Sequence, residues 1–164
     1  MKIKFCLPSV EHTLQIGNFI GQFVYIPAFI CLTGELGTGK TTFTKGLAMG
    51  FGIKDNITSP TFTLINEFAT KDKHFFHFDL YRLDNPEEIF LWDLDEYLKK
   101  SNSIVAIEWA DRLKNLNNYE RLDVCFEYLP ISPGVEGRNI ILNSYGTKYL
   151  SLLEEVQKFV DTWS

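Results

Sequence analysis

A short run of glycine, lysine and threonine residues carries the clearest chemical signal in the sequence. It extends from Gly34 to Thr42 and is Gly-Glu-Leu-Gly-Thr-Gly-Lys-Thr-Thr, which fills every fixed position of the pattern G-x-x-x-x-G-K-[ST]. Glycines at these positions let the backbone bend so that consecutive N–H groups point at one anion. Lys40 would reach the terminal phosphates of a nucleoside triphosphate, and the Thr41 hydroxyl would ligate Mg²⁺. The run therefore predicts a phosphate-binding loop, or P-loop.

The P-loop is predicted to lie between a buried strand and a helix, as such a site requires. Ala28 to Thr33 is an apolar run typical of a strand buried on both faces of a parallel sheet. Lys40 to Gly50 has helical periodicity, and the positive end of that helix favours an anion. A turn formed for packing alone is the alternative, but packing requires glycine and not Gly-Lys-Thr at this spacing. Thr42 either supports the γ-phosphate or belongs to ordinary capping of the first helical turn.

A P-loop site also needs a carboxylate on a neighbouring strand to hold Mg²⁺, directly or through water. Two predicted strands end in acids, at Asp79 and Glu108. Glu108 follows the pure apolar run Ile104–Ile107, and parallel strands bring their carboxyl ends to one edge, so Glu108 is the predicted Mg²⁺ partner. Asp79 ends an alternating strand, which predicts an antiparallel hairpin with one open face. There Asp79 either orients the attacking water or is a surface carboxylate facing Arg82 or Lys73.

Other side chains near these acids allow two interpretations each. Trp109 either stacks on a base or a partner, or is a half-buried packing residue. The arginines of interest would either neutralise phosphate charge or form ordinary solvated salt bridges; they are Arg82, Arg112 and Arg138. The histidines have no ligand spacing, so no metal–histidine site is predicted.

The remaining periodicities predict one α/β domain over residues 1–164, with the three layers of a P-loop NTPase. Its central sheet is expected to be mixed and mostly parallel, with an antiparallel hairpin. Strands besides those named above are predicted at Lys2–Leu7, Phe62–Phe68, His74–Arg82, Asp123–Leu129 and Arg138–Leu142, the last two joined by a turn over Pro130–Gly137. Further helices are predicted at Val10–Val24, from Pro86, at Leu94–Leu98 and at Thr147–Trp163.

Composition and charge indicate which cellular compartment and which binding partners to expect. The formal net charge is −5 and the pI about 5.2, which argues against this chain holding RNA by itself. No apolar run approaches the roughly 20 residues of a membrane span, and the first residues do not form a signal peptide. The three cysteines are far apart, so neither a disulfide framework nor a zinc site is expected. A reducing cytoplasm fits this pattern.

Four segments together resemble the bacterial TsaE (YjeE) family. They stand in the order Gly34–Thr42, Ser59–Leu64 (S-P-T-F-T-L), His77–Leu83 (H-F-D-L-Y-R-L) and Ile107–Arg112 (I-E-W-A-D-R). The P-loop alone is shared by very many proteins, whereas the other three segments in one short chain are far more specific. The resemblance covers about Ser9 to Leu142. Thr38 stands where many members carry alanine.

The resemblance implies an ATPase required for the threonylcarbamoyladenosine modification of tRNA, acting with the TsaB and TsaD proteins. TsaD with its partner would transfer the threonylcarbamoyl group, and this chain would hydrolyse ATP to reset the complex, contacting tRNA only indirectly. The implied catalytic residues are Asp79, Lys40 and Glu108, and Mg²⁺ would be held by Thr41 and Glu108. The Ser59–Leu64 segment would be a switch-like loop, and Thr13 would lie near the adenine. The implied ATP-binding residues are Thr13, Glu35, Leu36, Gly37, Thr38, Gly39, Lys40, Thr41, Thr42, Trp109 and Arg138.

Two other functions share a P-loop and remain as alternatives. A small-molecule kinase usually has a lid rich in arginine, but Asp84–Lys100 is acidic and contains no arginine. A guanine-nucleotide switch generally carries N-K-x-D, which is missing from the sequence. A nucleotide-dependent binding switch without efficient turnover is also compatible with the motifs.

Overall fold

The computed structural model describes residues 1–60, 63–86, 94–132 and 135–163. Within these ranges the chain forms an α/β fold around a seven-stranded sheet of order β1-β7-β6-β2-β5-β4-β3. The strands are β1 Lys2–Leu7, β2 Ala28–Thr33, β3 Ile65–Ala69, β4 His74–Asp79, β5 Ser103–Glu108, β6 Arg121–Ser132 and β7 Val135–Tyr145. The helices are α1 Val10–Phe23, α2 Lys40–Phe51 and α3 Leu150–Asp161, with a short 3-10 helix at Ala110–Arg112 and a further helical segment over residues 94–98.

The sheet is mixed and parallel in the middle, as predicted, and the structure adds antiparallel pairings toward both edges. β2 lies between β5 and β6 and is parallel to both, and β4 is parallel to β5. β3, β7 and β1 add antiparallel pairings. The carboxyl ends of β2, β4 and β5 therefore meet at one edge of the sheet, where the P-loop leaves β2.

Apolar side chains fill both faces of the sheet. Phe43 and Leu47 of α2 belong to the cluster on one face, together with Phe75 and Ala106 of the sheet. Phe76 and Val105, which point the opposite way along the same strands, belong to the cluster on the other face. Because successive side chains of these strands point into two buried clusters, the central strands have few polar residues.

Helices α1 and α2 pack closely because glycines line their contact. A Cβ atom built at Gly17 would lie 2.3 Å from the Phe43 carbonyl oxygen, and one at Gly46 would lie 2.2 Å from the Leu14 carbonyl oxygen. Since Cβ atoms do not approach backbone oxygens this closely, neither position accepts a side chain without a shift of the helices. The packing holds α2, and with it the P-loop, at a fixed distance from α1.

The hairpin prediction was correct in its pairing and wrong in its exposure. β3 and β4 form an antiparallel pair, but β4 is an inner strand with β5 on its other side. Its residues Phe75–Phe78 are buried on both faces, so the expected open face does not exist. The parallel pairing to β5 explains the burial, because helices and loops cover both faces of parallel strands.

Several element boundaries also differ from the sequence predictions. β4 ends at Asp79 rather than Arg82, and β3 begins at Ile65; Phe62, the predicted start of β3, lies outside the described residues. The helix predicted from Pro86 falls mostly on undescribed residues 87–93, while residues 94–98 are helical as predicted. The segment predicted as a Pro130–Gly137 turn is largely strand, with a register shift between Pro130 and Ser132 that accommodates proline in a ladder.

Candidate nucleotide-binding site

The P-loop connects the end of β2 to the start of α2 through backbone conformations that favour glycine. Gly34 has a φ of 135° and Gly39 a φ of 115°, both in the region that residues with a side chain rarely adopt. A Cβ atom at Gly34 would also lie 2.7 Å from the Phe126 carbonyl oxygen. Thr38 is buried and braces the loop from within, since its hydroxyl donates to the Glu35 carbonyl at 2.7 Å.

Lys40 is held at the mouth of the loop by three contacts. Its ammonium donates to the carbonyls of Gly34 at 2.6 Å and Glu35 at 2.8 Å. The same ammonium lies 4.0 Å from the centre of the Trp109 ring, within the range of a cation–π interaction. Burial lowers the pKa of Lys40, and the nearby charge of Glu108 opposes that effect. The site therefore carries a partly desolvated positive charge beside an aromatic ring.

Thr41 and Glu108 form a pair of oxygen-bearing side chains at the end of β5. The Thr41 hydroxyl donates to the two carboxylate oxygens of Glu108 at 3.0 and 3.2 Å. Donation of the proton leaves the lone pairs of the hydroxyl oxygen available to a cation. A hydroxyl and a carboxylate are hard oxygen ligands of the kind that Mg²⁺ prefers, so the two residues fit a magnesium site.

Glu108 has a further buried partner on the neighbouring strand. His77 Nε2 lies 2.9 Å from Glu108 Oε1, and both side chains are almost completely shielded from solvent, at 0% and 3% exposure. The histidines lack ligand spacing, so none was predicted to belong to the site. The sequence held only a partial signal, since His77 lies two residues before Asp79 and therefore on the same strand face.

Asp79 is the register partner of Glu108. Its carboxylate accepts a hydrogen bond from the Ser59 hydroxyl at 2.7 Å and another from the Tyr81 N–H at 3.0 Å. Lys73, which the sequence offered as a possible partner, donates instead to the Phe51 carbonyl. These contacts fix the direction of a half-buried carboxylate beside the P-loop.

The chain turns sharply directly after Glu108. Trp109 has a φ of 62° and is the one non-glycine residue with a positive φ in the described ranges. Such a conformation costs of order 1–3 kcal/mol. The turn brings the Trp109 ring to 4.9 Å from that of Tyr81. Arg112, in the 3-10 helix that follows, donates to the carbonyls of Leu80, Tyr81 and Leu83, and this ties the segment after Glu108 to the segment after Asp79.

One cavity of about 460 Å³ joins most of the predicted site residues, a volume within the range of small-molecule sites. Its lining consists of Leu36, Gly37, Gly39, Lys40, Thr41, Thr42, Ser59, Pro60, Asp79, Tyr81, Arg82, Glu108 and Trp109.

Four predicted residues do not line this cavity. Glu35 and Thr38 belong to the P-loop itself. Thr13 and Arg138 lie behind it: a Cβ atom at Gly39 would be 3.4 Å from Thr13 Cγ2 and 3.9 Å from Arg138 Cδ. The Thr13 hydroxyl is buried and has no hydrogen-bond partner within the described part of the chain.

Comparison with known proteins identifies the family. The family model described as "Threonylcarbamoyl adenosine biosynthesis protein TsaE" matches residues 7–132. This chain belongs to the TsaE family. The match includes the P-loop, Asp79 and Glu108, and ends before α3.

One TsaE relative and one solved structure extend the similarity over nearly the whole chain. A Bacillus subtilis protein named tRNA threonylcarbamoyladenosine biosynthesis protein TsaE is 32% identical over 157 residues, which are 96% of this chain and 95% of the relative. A Nostoc protein of the same name is 42% identical over 113 residues, 67% of this chain and 69% of the relative. The crystal structure of Bacillus subtilis YdiB superimposes with a TM-score of 0.72 at 30% identity, covering 97% of this chain and 96% of that one.

The resemblance to the TsaE family inferred from the four segments is thus confirmed. The α/β fold with a mixed, centrally parallel sheet is confirmed as well. No helix in the described ranges is both long and apolar enough to cross a membrane.

Proposed function

We propose that this chain is the ATP-hydrolysing component of the machinery that makes threonylcarbamoyladenosine in tRNA. The curated relatives carry that biosynthetic pathway in their names. The observation that carries the hydrolytic part is the arrangement of one cavity, in which a complete P-loop faces two carboxylates from adjacent strands, Asp79 and Glu108. A scaffold that only bound phosphate would need the loop but not the second carboxylate.

The P-loop binds the triphosphate of ATP. Backbone N–H groups at the start of α2 and the Lys40 ammonium supply the local positive potential that an anionic ligand needs on a chain of net negative charge. Thr42 lines the same cavity and contributes on the γ-phosphate side. Trp109, whose ring lies 4.0 Å from the Lys40 ammonium, contacts the nucleotide beside that ammonium, Thr13 is the residue assigned to the adenine side, and Arg138 is assigned a place beside the loop. The remaining nucleotide contacts come from Glu35, Leu36, Gly37, Thr38 and Gly39.

Thr41 and Glu108 hold Mg²⁺ in this proposal. When bound, the ion neutralises charge that develops on the phosphate oxygens during transfer. Thr41 is already oriented by its hydrogen bonds to Glu108. The chain thus contributes a preformed pair of oxygen ligands, and little reorganisation is needed at the moment of reaction.

Asp79 orients the attacking water. One of its oxygens is engaged by Ser59 and the other by the Tyr81 N–H, so the carboxylate cannot rotate freely and keeps acceptor capacity toward the cavity. The water oxygen forms a bond to the γ-phosphorus while the bond from that phosphorus to the β,γ-bridging oxygen breaks. The products are ADP and inorganic phosphate, and the proton of the water passes to the phosphate or to Asp79.

The chain acts with TsaB and TsaD and contacts tRNA only indirectly, in the cytoplasm. Its net charge of −5 disfavours direct binding to RNA, whose phosphates are also negative. Hydrolysis by the isolated chain is expected to be slow, because the cavity is open on one side and bulk water enters it. Partner binding would increase the rate by closing the site and excluding bulk water.

A phosphate-release assay tests this proposal. ATP and Mg²⁺ are supplied to the chain alone, to TsaB–TsaD alone and to the three together, and the products are separated by ion-exchange chromatography. The proposal predicts ADP and free phosphate in equal amounts, with a rate in the three-protein mixture above the sum of the others. Transfer of the phosphate to a small acceptor would instead identify a kinase, and tight nucleotide binding without partner-dependent turnover would identify a binding switch.

A further inference from the structure

The buried contact between His77 and Glu108 has no role in the function proposed so far. His77 is on β4, which lies between β5 and β3, and its side chain is fully buried. Its Nε2 atom is 2.9 Å from Glu108 Oε1. A polar ring in such a position costs free energy unless it is hydrogen-bonded. An apolar residue would fill the same space without that cost, so the contact itself requires an explanation.

The hydrogen-bonding capacity of the two groups indicates which ring nitrogen carries the proton. An ionised carboxylate only accepts hydrogen bonds, so Nε2 must be the donor to Glu108. The other ring nitrogen, Nδ1, is buried and has no partner within the described residues. Leaving a bare lone pair there is less costly than burying a second unsatisfied N–H, and the ring is therefore in its Nε2–H tautomer.

Two donors from different elements converge on one oxygen of Glu108. Oε1 accepts from His77 Nε2 and from the Thr41 hydroxyl, while Oε2 accepts from Thr41 alone, at 3.2 Å. His77 is on β4 and Thr41 on α2, so the carboxylate is fixed between the sheet and the helix that starts the nucleotide site. Oε2 has the larger remaining acceptor capacity, and this oxygen is the one left for a cation.

We propose that His77 is a positioning residue, which fixes the Glu108 carboxylate so that one of its oxygens is presented to the magnesium ion of the nucleotide complex. This inference rests on the proposed function, since it assumes that Glu108 contacts Mg²⁺. Partners in the second layer around a metal typically change metal affinity or activity by 10- to 100-fold when they are removed. His77 does not line the cavity and acts through Glu108.

Two substitutions separate positioning from packing. His77→Gln places an amide N–H near the position of Nε2 and retains a donor to Glu108, whereas His77→Leu fills the space without one. Binding of ADP to the full chain is measured by calorimetry over a series of Mg²⁺ concentrations and again with Mg²⁺ chelated. His74→Gln, on the same strand but half-exposed, serves as the control.

The inference predicts that His77→Leu raises the Mg²⁺ concentration for half-maximal enhancement of ADP binding by about tenfold or more. The chelated affinity should stay within about twofold of the unmodified chain, and His77→Gln should recover most of the loss. An unchanged Mg²⁺ dependence in His77→Leu, or equal losses in folded His77→Leu and His77→Gln, would overturn it. If the unmodified chain enhances ADP binding with Mg²⁺ but releases no phosphate, the hydrolytic proposal fails while the role of His77 stands.

A measurement on the unmodified chain covers the case in which His77→Leu does not fold. The ¹⁵N resonances of the His77 ring, assigned by comparison with His77→Gln or by through-bond correlation, report which nitrogen is protonated. The expected spectrum has a protonated Nε2 and an unprotonated Nδ1, with a change in the Nε2 resonance when Mg²⁺ and ADP are added together. The opposite tautomer, or ring resonances that do not change when Mg²⁺ and ADP are added, would contradict the assignment.

Discussion

Asp79 and Glu108 are register partners at the carboxyl ends of two adjacent parallel strands, β4 and β5. Because paired residues of parallel strands point to the same face, both carboxylates lie on the side of the sheet that carries α2 and the P-loop. Their other contacts differ. Glu108 is buried against Thr41 and His77, while Asp79 is half-exposed and engaged by Ser59 and the Tyr81 N–H. These different surroundings suit Glu108 to hold Mg²⁺ and Asp79 to orient water.

The hydrogen bond from Ser59 to Asp79 gives the first prediction. Ser59→Ala removes a donor to one carboxylate oxygen and frees Asp79 to rotate, so kcat for ATP hydrolysis should fall by about tenfold, as expected for a hydrogen bond to a charged group. The Kd for ATP should stay within about twofold, since Ser59 does not belong to the P-loop. Single-turnover hydrolysis and nucleotide titration measure the two effects, with the exposed Ser151→Ala as control. Loss of binding with kcat retained would contradict the role given to Asp79.

The contact between α1 and α2 gives a prediction about stability. Alanine normally stabilises a helix relative to glycine by about 1 kcal/mol, but a Cβ atom at Gly17 would meet the Phe43 carbonyl oxygen. Gly17→Ala should therefore lower the free energy of unfolding by about 1–3 kcal/mol through overpacking. Urea unfolding measures the change, and Gln15→Ala on the exposed side of α1 should be nearly neutral. A more stable Gly17→Ala variant would show that the helices are not in tight contact.

Tyr149 links stability to alkaline pH. Its hydroxyl oxygen accepts a hydrogen bond from the Phe29 N–H at 2.9 Å, and burial raises the pKa of Tyr149 from 10.0 to about 12. A pKa that is higher in the folded state gives stability that is fully present below pH 10 and is lost as pH rises toward 12, in total about 3 kcal/mol. Tyr149→Phe cannot show this loss.

The comparison of the two chains isolates the effect of Tyr149 from the other groups that titrate at high pH. At pH 8, Tyr149→Phe should be less stable by about 1–3 kcal/mol, because the buried Phe29 N–H loses its acceptor. The difference in free energy of unfolding between the two chains should then shrink between pH 10 and 12. Chemical unfolding at a series of pH values measures it. A constant difference across that range would mean that the phenol does not titrate differently in the folded state.

The parts of the fold and site that the sequence predicted are those set by local patterns. The apolar runs of β2 and β5 were correctly placed as buried strands, and the position of the acid at the end of β5 follows directly from that placement. The glycine–lysine–threonine spacing defined the P-loop, since each of its residues has a geometric requirement. Alternation in the chain before Asp79 correctly gave the antiparallel pairing of β3 and β4.

The remaining features depend on contacts between distant segments. Burial of β4 on both faces results from its pairing with β5, which alternation along one strand cannot reveal. The role of His77 requires the register between β4 and β5, and the left-handed backbone of Trp109 has no local sequence signal because tryptophan does not favour it. β6 and β7 are longer than the alternating segments from which they were predicted, because the pairing between the two strands continues to Tyr145 at one end and to Ser132 at the other.

Parallel measurement of nucleotide binding and hydrolysis in Lys40→Ala and Asp79→Asn tests the central claim most directly. ATP with Mg²⁺ is titrated into each variant by calorimetry, and phosphate release is followed in the same samples with TsaB and TsaD present. The account predicts that Lys40→Ala loses binding and turnover together, whereas Asp79→Asn binds ATP within about threefold of the unmodified chain and hydrolyses it at least about 100-fold more slowly. Equal loss of binding in both variants, or full hydrolysis by Asp79→Asn, would contradict it.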